Sequence, residues 1–172
     1  EREGAAWVIR DARGRAVMTM PDGALYFEQS YWPFAAEEDD LDRFESVLAE
    51  RGHAGAPPPG PVVDGDDGAS RLRDGARRLR ESTDRAIIGV FGGSLFEFGQ
   101  AMYRNDRFFM MLAGEPDCAH AFLDRAVEHH LAALDRYMAA VGEYIDIIVF
   151  GDDLGMQTGP MISPAMYREF FK

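Results

Sequence analysis

Two short apolar runs constrain this chain more than any other feature. Ala86-Ile87-Ile88-Gly89-Val90-Phe91 stops at Gly92-Gly93, and Tyr144-Ile145-Asp146-Ile147-Ile148-Val149-Phe150 stops at Gly151. Runs of this length, rich in β-branched and aromatic residues, predict strands buried on both faces. Helical patterns lie between them, over 95–104 and 106–112 and then over 117–141. The last carries Ala119, Phe122, Leu123, Ala126, Val127, Leu131, Leu134, Met138 and Val141 as one stripe at 3.6-residue spacing, just after Pro116. Ser163-Pro164 opens another helix, with serine as N-cap and proline at the first helical position. Strand, helices, strand, helix is α/β grammar and predicts parallel strands joined by right-handed crossovers.

Two strands cannot close a sheet, and a (β/α)₈ barrel of TIM type takes about 250 residues. Reading this 172-residue chain as such a barrel therefore expects it to be a fragment. Its start on Glu1 and its stop at Lys172, inside a helical pattern, fit that expectation. Cut open, the barrel would leave strand edges unpaired, so the chain is expected to be marginally stable and inactive alone.

Residues 1–83 read as a less regular attachment to a core of βα units over 84–172, all within one domain. Ala6-Trp7-Val8-Ile9 and Ala16-Val17-Met18-Thr19-Met20 flank the turn Asp11-Ala12-Arg13-Gly14. Pro21-Asp22-Gly23 makes a second turn, and Ala24-Leu25-Tyr26-Phe27 is expected as a third strand of a β-meander. A helix over 40–51 stops at Gly52, and the proline-rich stretch 55–61 predicts an extended linker. Residues 70–81 predict an arginine-rich helix with Leu72, Ala76 and Leu79 on one side and Gly75 in its interior.

Charge and composition remove several classes of function. With 18 basic against 30 acidic residues the net charge is −12, the wrong sign for a nucleic-acid backbone or an anionic membrane surface. The single cysteine, Cys118, excludes an internal disulfide and fits a reducing cytoplasm. No apolar stretch approaches the roughly 20 residues that cross a bilayer, and no signal-peptide pattern opens the chain.

Ligand sites in parallel α/β folds lie just past the C-terminal ends of the strands. Asp152 and Asp153 hold that place after one run; Gly92, Gly93 and Ser94 hold it after the other. The two carboxylates suit a cationic or hydrogen-bond-donating ligand, a metal, or a proton-transfer pair with one raised pKa. The alternative is structural: one aspartate closing an Asx turn and the other facing water. Cys118-Ala119-His120 sits at the start of a helix, away from the strand ends, and zinc needs three or four convergent ligands; no metal site is expected there. His129 and His130 are expected on a partly exposed helix surface. The phenylalanines and methionines after residue 95 are read as core, with Phe96 and Phe98, next to the strand end, as the exceptions that line the pocket.

The stretch from Phe150-Gly151-Asp152-Asp153-Leu154-Gly155 through Gly159-Pro160-Met161-Ile162-Ser163-Pro164 to Met166-Tyr167-Arg168-Glu169-Phe170 resembles the uroporphyrinogen decarboxylase superfamily. Ile88-Gly89-Val90-Phe91-Gly92-Gly93 is similar to an earlier barrel strand of that family. The resemblance spans about residues 84–172. It implies a TIM-type barrel, a small-molecule substrate, and one of two chemistries. The namesake reaction is tetrapyrrole decarboxylation, a lyase step of porphyrin biosynthesis that uses no cofactor; a carboxylate from an early strand, without counterpart here, stabilises the charged pyrrole intermediate. The other is methyl transfer with a corrinoid protein or a coenzyme thiol, where zinc held by His and Cys ligands activates the thiol. A binding module that keeps the barrel rim without its chemistry is a third reading.

The same resemblance implies substrate contacts at Asp152, Asp153, Gly92, Gly93, Gln100, Tyr103, Gln157 and Phe96, and a homodimer through the barrel mouth. Gln100 stands where the decarboxylases carry a tyrosine, with Tyr103 near it, and Asp152 stands where they carry a serine. An acidic group at that point is expected to repel a substrate rich in carboxylates.

Overall fold

A computed structural model of the chain describes residues 1–11, 13–36, 41–51 and 66–172. The expected linker over 55–61, the helix stop at Gly52 and the expected helix start at Asp40 lie outside the described residues.

At the N-terminus, β1 (Arg2–Glu3), β2 (Ala6–Arg10), β3 (Ala16–Pro21) and β4 (Glu28–Gln29) form one antiparallel sheet in that order. The Asp11 carboxylate accepts the backbone N–H groups of Arg13 and Arg15, each at 2.9 Å, and Gly14 supplies the left-handed residue the turn needs. The third strand expected over 24–27 is not one. Leu25 is 94% exposed there, and pairing with β3 begins only at Thr19↔Glu28, because nothing among the described residues covers Leu25 and Tyr26. The Gln29 side-chain amide donates to the carbonyls of Tyr31 and Ala101, tying this sheet to the helical body.

The rest of the chain runs α1 (Pro33–Ala36), a 3₁₀ turn (Leu41–Arg43), α2 (Phe44–Arg51), α3 (Asp66–Ser82), β5 (Ile88–Gly92), α4 (Phe96–Tyr103), α5 (Asn105–Gly114), α6 (Pro116–Val141), β6 (Ile147–Phe150), the short strands β7 (Gly155–Met156) and β8 (Gly159–Pro160), and α7 (Pro164–Phe170). β5 and β6 pair in parallel with Ile88↔Ile147 and Val90↔Val149, as α/β grammar requires. Ser163 caps α7 through its hydroxyl, which accepts the Met166 N–H at 3.2 Å, with Pro164 at the first helical position.

The parallel pair is covered on one side only, which corrects the expectation of strands buried on both faces. Gly89 and Phe91 face α6; the Phe91 and Tyr137 rings are 5.5 Å apart, and a Cβ on Gly89 would lie 2.6 Å from the Tyr137 hydroxyl. On the opposite face Ile88 and Val90 are 57% and 63% exposed, and Ile147 and Val149 are also largely open. Two strands with one helical layer bury one face, and among the described residues no further strand joins them and no barrel closes.

Arg80 of α3 fixes where both strands start. Its guanidinium donates to the Tyr144 carbonyl and pairs with Asp146, whose carboxylate also accepts the Ile87 N–H at 2.8 Å.

The main core lies beside the sheet, among α1, α2, α4, α5 and α6, and is largely aromatic. Phe122 of α6 meets Phe34, Phe44, Phe98, Tyr103 and Phe108 at ring separations of 5.0 to 6.4 Å. α4 and α5 approach so closely that a Cβ on Gly99 would fall 2.2 Å from the Phe108 ring.

α6 serves both this core and the smaller cluster behind the sheet, and the expected stripe holds in part: Ala119, Phe122, Leu123, Ala126 and Val141 are buried. Val127, Leu131 and Met138 are exposed, whereas His130, Ala133 and Tyr137 face inward. Small residues at Ala126, Ala133 and Ala140 let the helix approach closely, and that outweighs the apolar character of the larger side chains left outside. Among the described residues no helix is long and apolar enough to cross a membrane.

Candidate functional site at the strand ends

The C-terminal ends of β5 and β6 meet. Gly92 pairs with Phe150, and the Gly151 N–H donates to the Gly92 carbonyl at 3.2 Å. Gly92 and Gly93 both have left-handed backbone, φ 86° and 69°, so the chain can leave β5 and enter α4 only through glycines. A Cβ on Gly93 would also touch the Phe91 ring at 3.0 Å.

Asp152 crosses this junction. Its carboxylate accepts three consecutive backbone N–H groups, from Leu95 at 2.9 Å, Phe96 at 2.7 Å and Glu97 at 3.0 Å. Those are the unpaired donors of the first turn of α4, whose own N-cap residue, Leu95, provides no side-chain acceptor. A negative charge there also opposes the positive end of the helix dipole. Asp153 behaves differently: its Oδ1 accepts the Gly155 N–H at 3.1 Å in an Asx turn, and the side chain stays exposed. The two neighbouring carboxylates thus accept hydrogen bonds from different parts of the chain.

The remaining nominated residues divide sharply. Phe96 and Tyr103 are 0% and 1% exposed, built into the aromatic core, and Phe98 is 1% exposed; the expectation that Phe96 and Phe98 line an open pocket is corrected. All three sit on an α4 turned almost entirely inward once Asp152 has fixed its start. The Gln100 Nε2 is buried with no hydrogen-bond partner among the described residues. Gln157 is exposed in the tight turn between β7 and β8. Beside that hairpin an apolar pocket of about 250 Å³ is lined by Leu154, Pro160, Ile162, Pro164 and Tyr167.

His130 belongs to this junction, and the expected exposed surface is corrected. It is 7% exposed, with Nδ1 2.6 Å from the Ala126 carbonyl and its ring edge-on to Phe98 at 5.1 Å. Burial pushes its pKa below the ordinary histidine value, against smaller opposing effects of the Ala126 and Ser94 carbonyls and the Asp152 charge. Its spacing from Phe122, Ala126, Ala133 and Tyr137 was the readable sign of an inward position. His129 lies half out of the same interface, stacked on Phe98 and 3.9 Å from Glu45.

Among the described residues no group of three or more His, Cys, Asp or Glu side chains is placed to hold an ion. Cys118 is exposed, and the His120 ring packs on Phe170. These residues do not fit a zinc site. What the rim does offer is an exposed carboxylate at Asp153, an exposed amide at Gln157, and glycine backbone at two strand ends. No protein-family model, curated protein or solved structure matches the chain.

Proposed function

We propose that the chain forms part of a uroporphyrinogen decarboxylase-superfamily enzyme of TIM-barrel type, with tetrapyrrole decarboxylation as its reaction. The observation supporting this is the meeting of Gly92-Gly93 and Gly151–Gly155 at the C-terminal ends of two parallel strands, because parallel α/β enzymes assemble their ligand sites there. On this reading β5 and β6 are adjacent barrel strands, α3 and α6 belong to the outer helical layer, and the bare Ile88–Val90 face turns toward the barrel interior.

The engagement of Asp152 also bears on the substrate. Three amide N–H groups surround its carboxylate, so its charge supports α4 and is balanced where it stands. The expected repulsion of a carboxylate-rich tetrapyrrole is correspondingly weaker. Asp153 and Gln157 are the polar contacts the rim offers, and the glycines let a flat ligand approach the backbone.

Uroporphyrin, the stable oxidised form of the substrate, tests the reading. Its titration should shift the backbone amide signals of Gly92, Gly93, Gly151 and Asp153 together, in a saturable manner. Uroporphyrinogen supplied to the protein joined to its complementary barrel strands should then yield coproporphyrinogen. Absence of both responses would sink the decarboxylase reading. Binding without turnover would point to a non-catalytic module, and tight stoichiometric zinc in the completed barrel would point to methyl transfer.

A further inference from the structure

One line of side chains along α6 is covered at its two ends and bare between them. His120, Asp124, Val127, Leu131 and Leu134 follow one another at steps of three or four residues, so they lie on one side of the helix. At the N-terminal end the Phe170 ring of α7 packs on His120, with ring centres 4.9 Å apart. Farther along, Leu134 joins the cluster that holds Leu72 and Ala76 of α3, and Arg73 of α3 donates to the Ala139 carbonyl at 2.9 Å. Between these contacts Val127 and Leu131 are 38% and 56% exposed. From His120 to Leu134 the helix axis runs about 21 Å, against about 10–12 Å for the full diameter of an α-helix. One further helix fits between α7 and α3.

The charge beside the bare stretch is acidic. Asp124, Glu128 and Asp135 are exposed and run along its solvent edge at steps of four and seven residues. Arg125 pairs with Glu128 at 3.4 Å, but both groups are open to water, where such a pair is weak. The chain's own cover for the next part of α6 is a guide to what suits this line. α3 is amphipathic, sets Leu72 and Ala76 inward, and carries Arg71, Arg73, Arg77, Arg78 and Arg80. It is the one arginine-rich helix among the described residues, and it is already seated. A second copy of the chain therefore has no such helix to offer.

We propose that Val127 and Leu131, with Asp124 and Glu128 beside them, seat a basic amphipathic helix of a partner protein. Apolar side chains one turn apart on that helix cover Val127 and Leu131, and lysines or arginines on its flank meet the two carboxylates. The apolar contact supplies the attraction, while the charges select the partner and set its orientation. Two partly exposed side chains make a small seat, so the complex is weak and transient. It does not depend on which reaction the strand-end rim serves.

A synthetic peptide with leucines at helical spacing and lysines elsewhere tests this on the intact chain, followed by amide NMR at physiological salt. Saturable shifts should centre on Asp124 to Leu131 and leave Ile88 to Val90, on the bare sheet face, unmoved. A peptide of the same composition with its leucines scattered should bind about tenfold more weakly, and Leu131→Lys should weaken the first peptide to a similar extent. Asp124→Lys combined with Glu128→Lys should reverse the preference, toward a leucine–glutamate peptide. Equal binding of the scattered peptide would mean only general attraction to a chain of net charge −12, and would overturn the seat. So would an absence of binding, or shifts centred on β5 and β6, and neither outcome needs a variant to fold. Self-association in sedimentation that Leu131→Lys abolishes would give the seat to a second copy and overturn the partner helix.

Discussion

The Asp152 carboxylate lies 2.7 Å from the amide nitrogen of Phe96, a residue fifty-six positions earlier in the chain. One side chain on the β6 loop thereby acts as the cap of α4, and the rim nominated for ligand binding is also a structural joint.

Capping gives a prediction that separates the two roles. Asp152→Ala should destabilise the fold by about 1–2 kcal/mol, the usual cost of a lost N-cap, and Asp152→Asn by less, since an amide oxygen still accepts. Urea unfolding followed by circular dichroism measures both. An alanine variant as stable as the native protein would return Asp152 to the list of free ligand groups.

The glycines at 75 and 99 should respond in opposite directions. Gly75 sits within α3 with open space around it, so Gly75→Ala should stabilise by roughly 0.5–1 kcal/mol. At Gly99 the new methyl would collide with the Phe108 ring, and Gly99→Ala should cost about 2–3 kcal/mol through overpacking. Thermal unfolding of the two variants, side by side, checks the signs.

The one-sided sheet predicts a contrast between adjacent residues. Phe91→Ala should cost about 3–5 kcal/mol, as for other buried aromatics, whereas Val90→Thr should stay within about 0.5 kcal/mol. A large loss for Val90→Thr would show that something covers the Ile88–Val90 face in solution.

Acid should weaken the joint between α3 and the strands. The Arg80 guanidinium holds the Asp146 carboxyl below its ordinary pKa, assisted by the Ile87 N–H. A carboxyl whose folded pKa is depressed contributes stability above its unfolded value, near 4, and that contribution is lost as pH falls through the lower folded value. Asp146→Asn should therefore flatten the stability profile below about pH 4. Denaturation midpoints collected from pH 2 to 6 would reveal an unchanged acid limb if the pair contributes nothing.

Local chemistry was legible where it is local. The Asp11–Gly14 turn, the Ser163-Pro164 cap and the positions of α4, α5 and α6 can be read within a few residues, since each depends on neighbours in sequence. The α/β pairing of Ile88–Phe91 with Ile147–Phe150 was also legible, because continuous β-branched runs have few alternatives. Burial was not. Which side of α6 faces inward depends on how closely Ala126, Ala133 and Ala140 let it approach its neighbours, and hydropathy ranks Leu131 above His130 for a core position that His130 fills. Phe96 was misplaced for a related reason: position after a strand end suggests a pocket, but a helix capped from a distance by Asp152 turns that residue into the core. Asp152 itself was located correctly, and its partners, more than fifty residues away, carry no signature in sequence.

That distance has a consequence for the order in which the molecule can be made. A chain emerging from the ribosome at about 5–20 residues per second exposes Phe96 some 3–11 seconds before Asp152 exists. During that interval α4 has its aromatic residues and no cap, so its first turn stays frayed while α5 and α6 are synthesised. Completion of β6 then supplies the missing acceptor and registers the two strand ends in one event. The helix nearest the rim is thus among the last to become fixed, although α5 and α6 follow it in the chain.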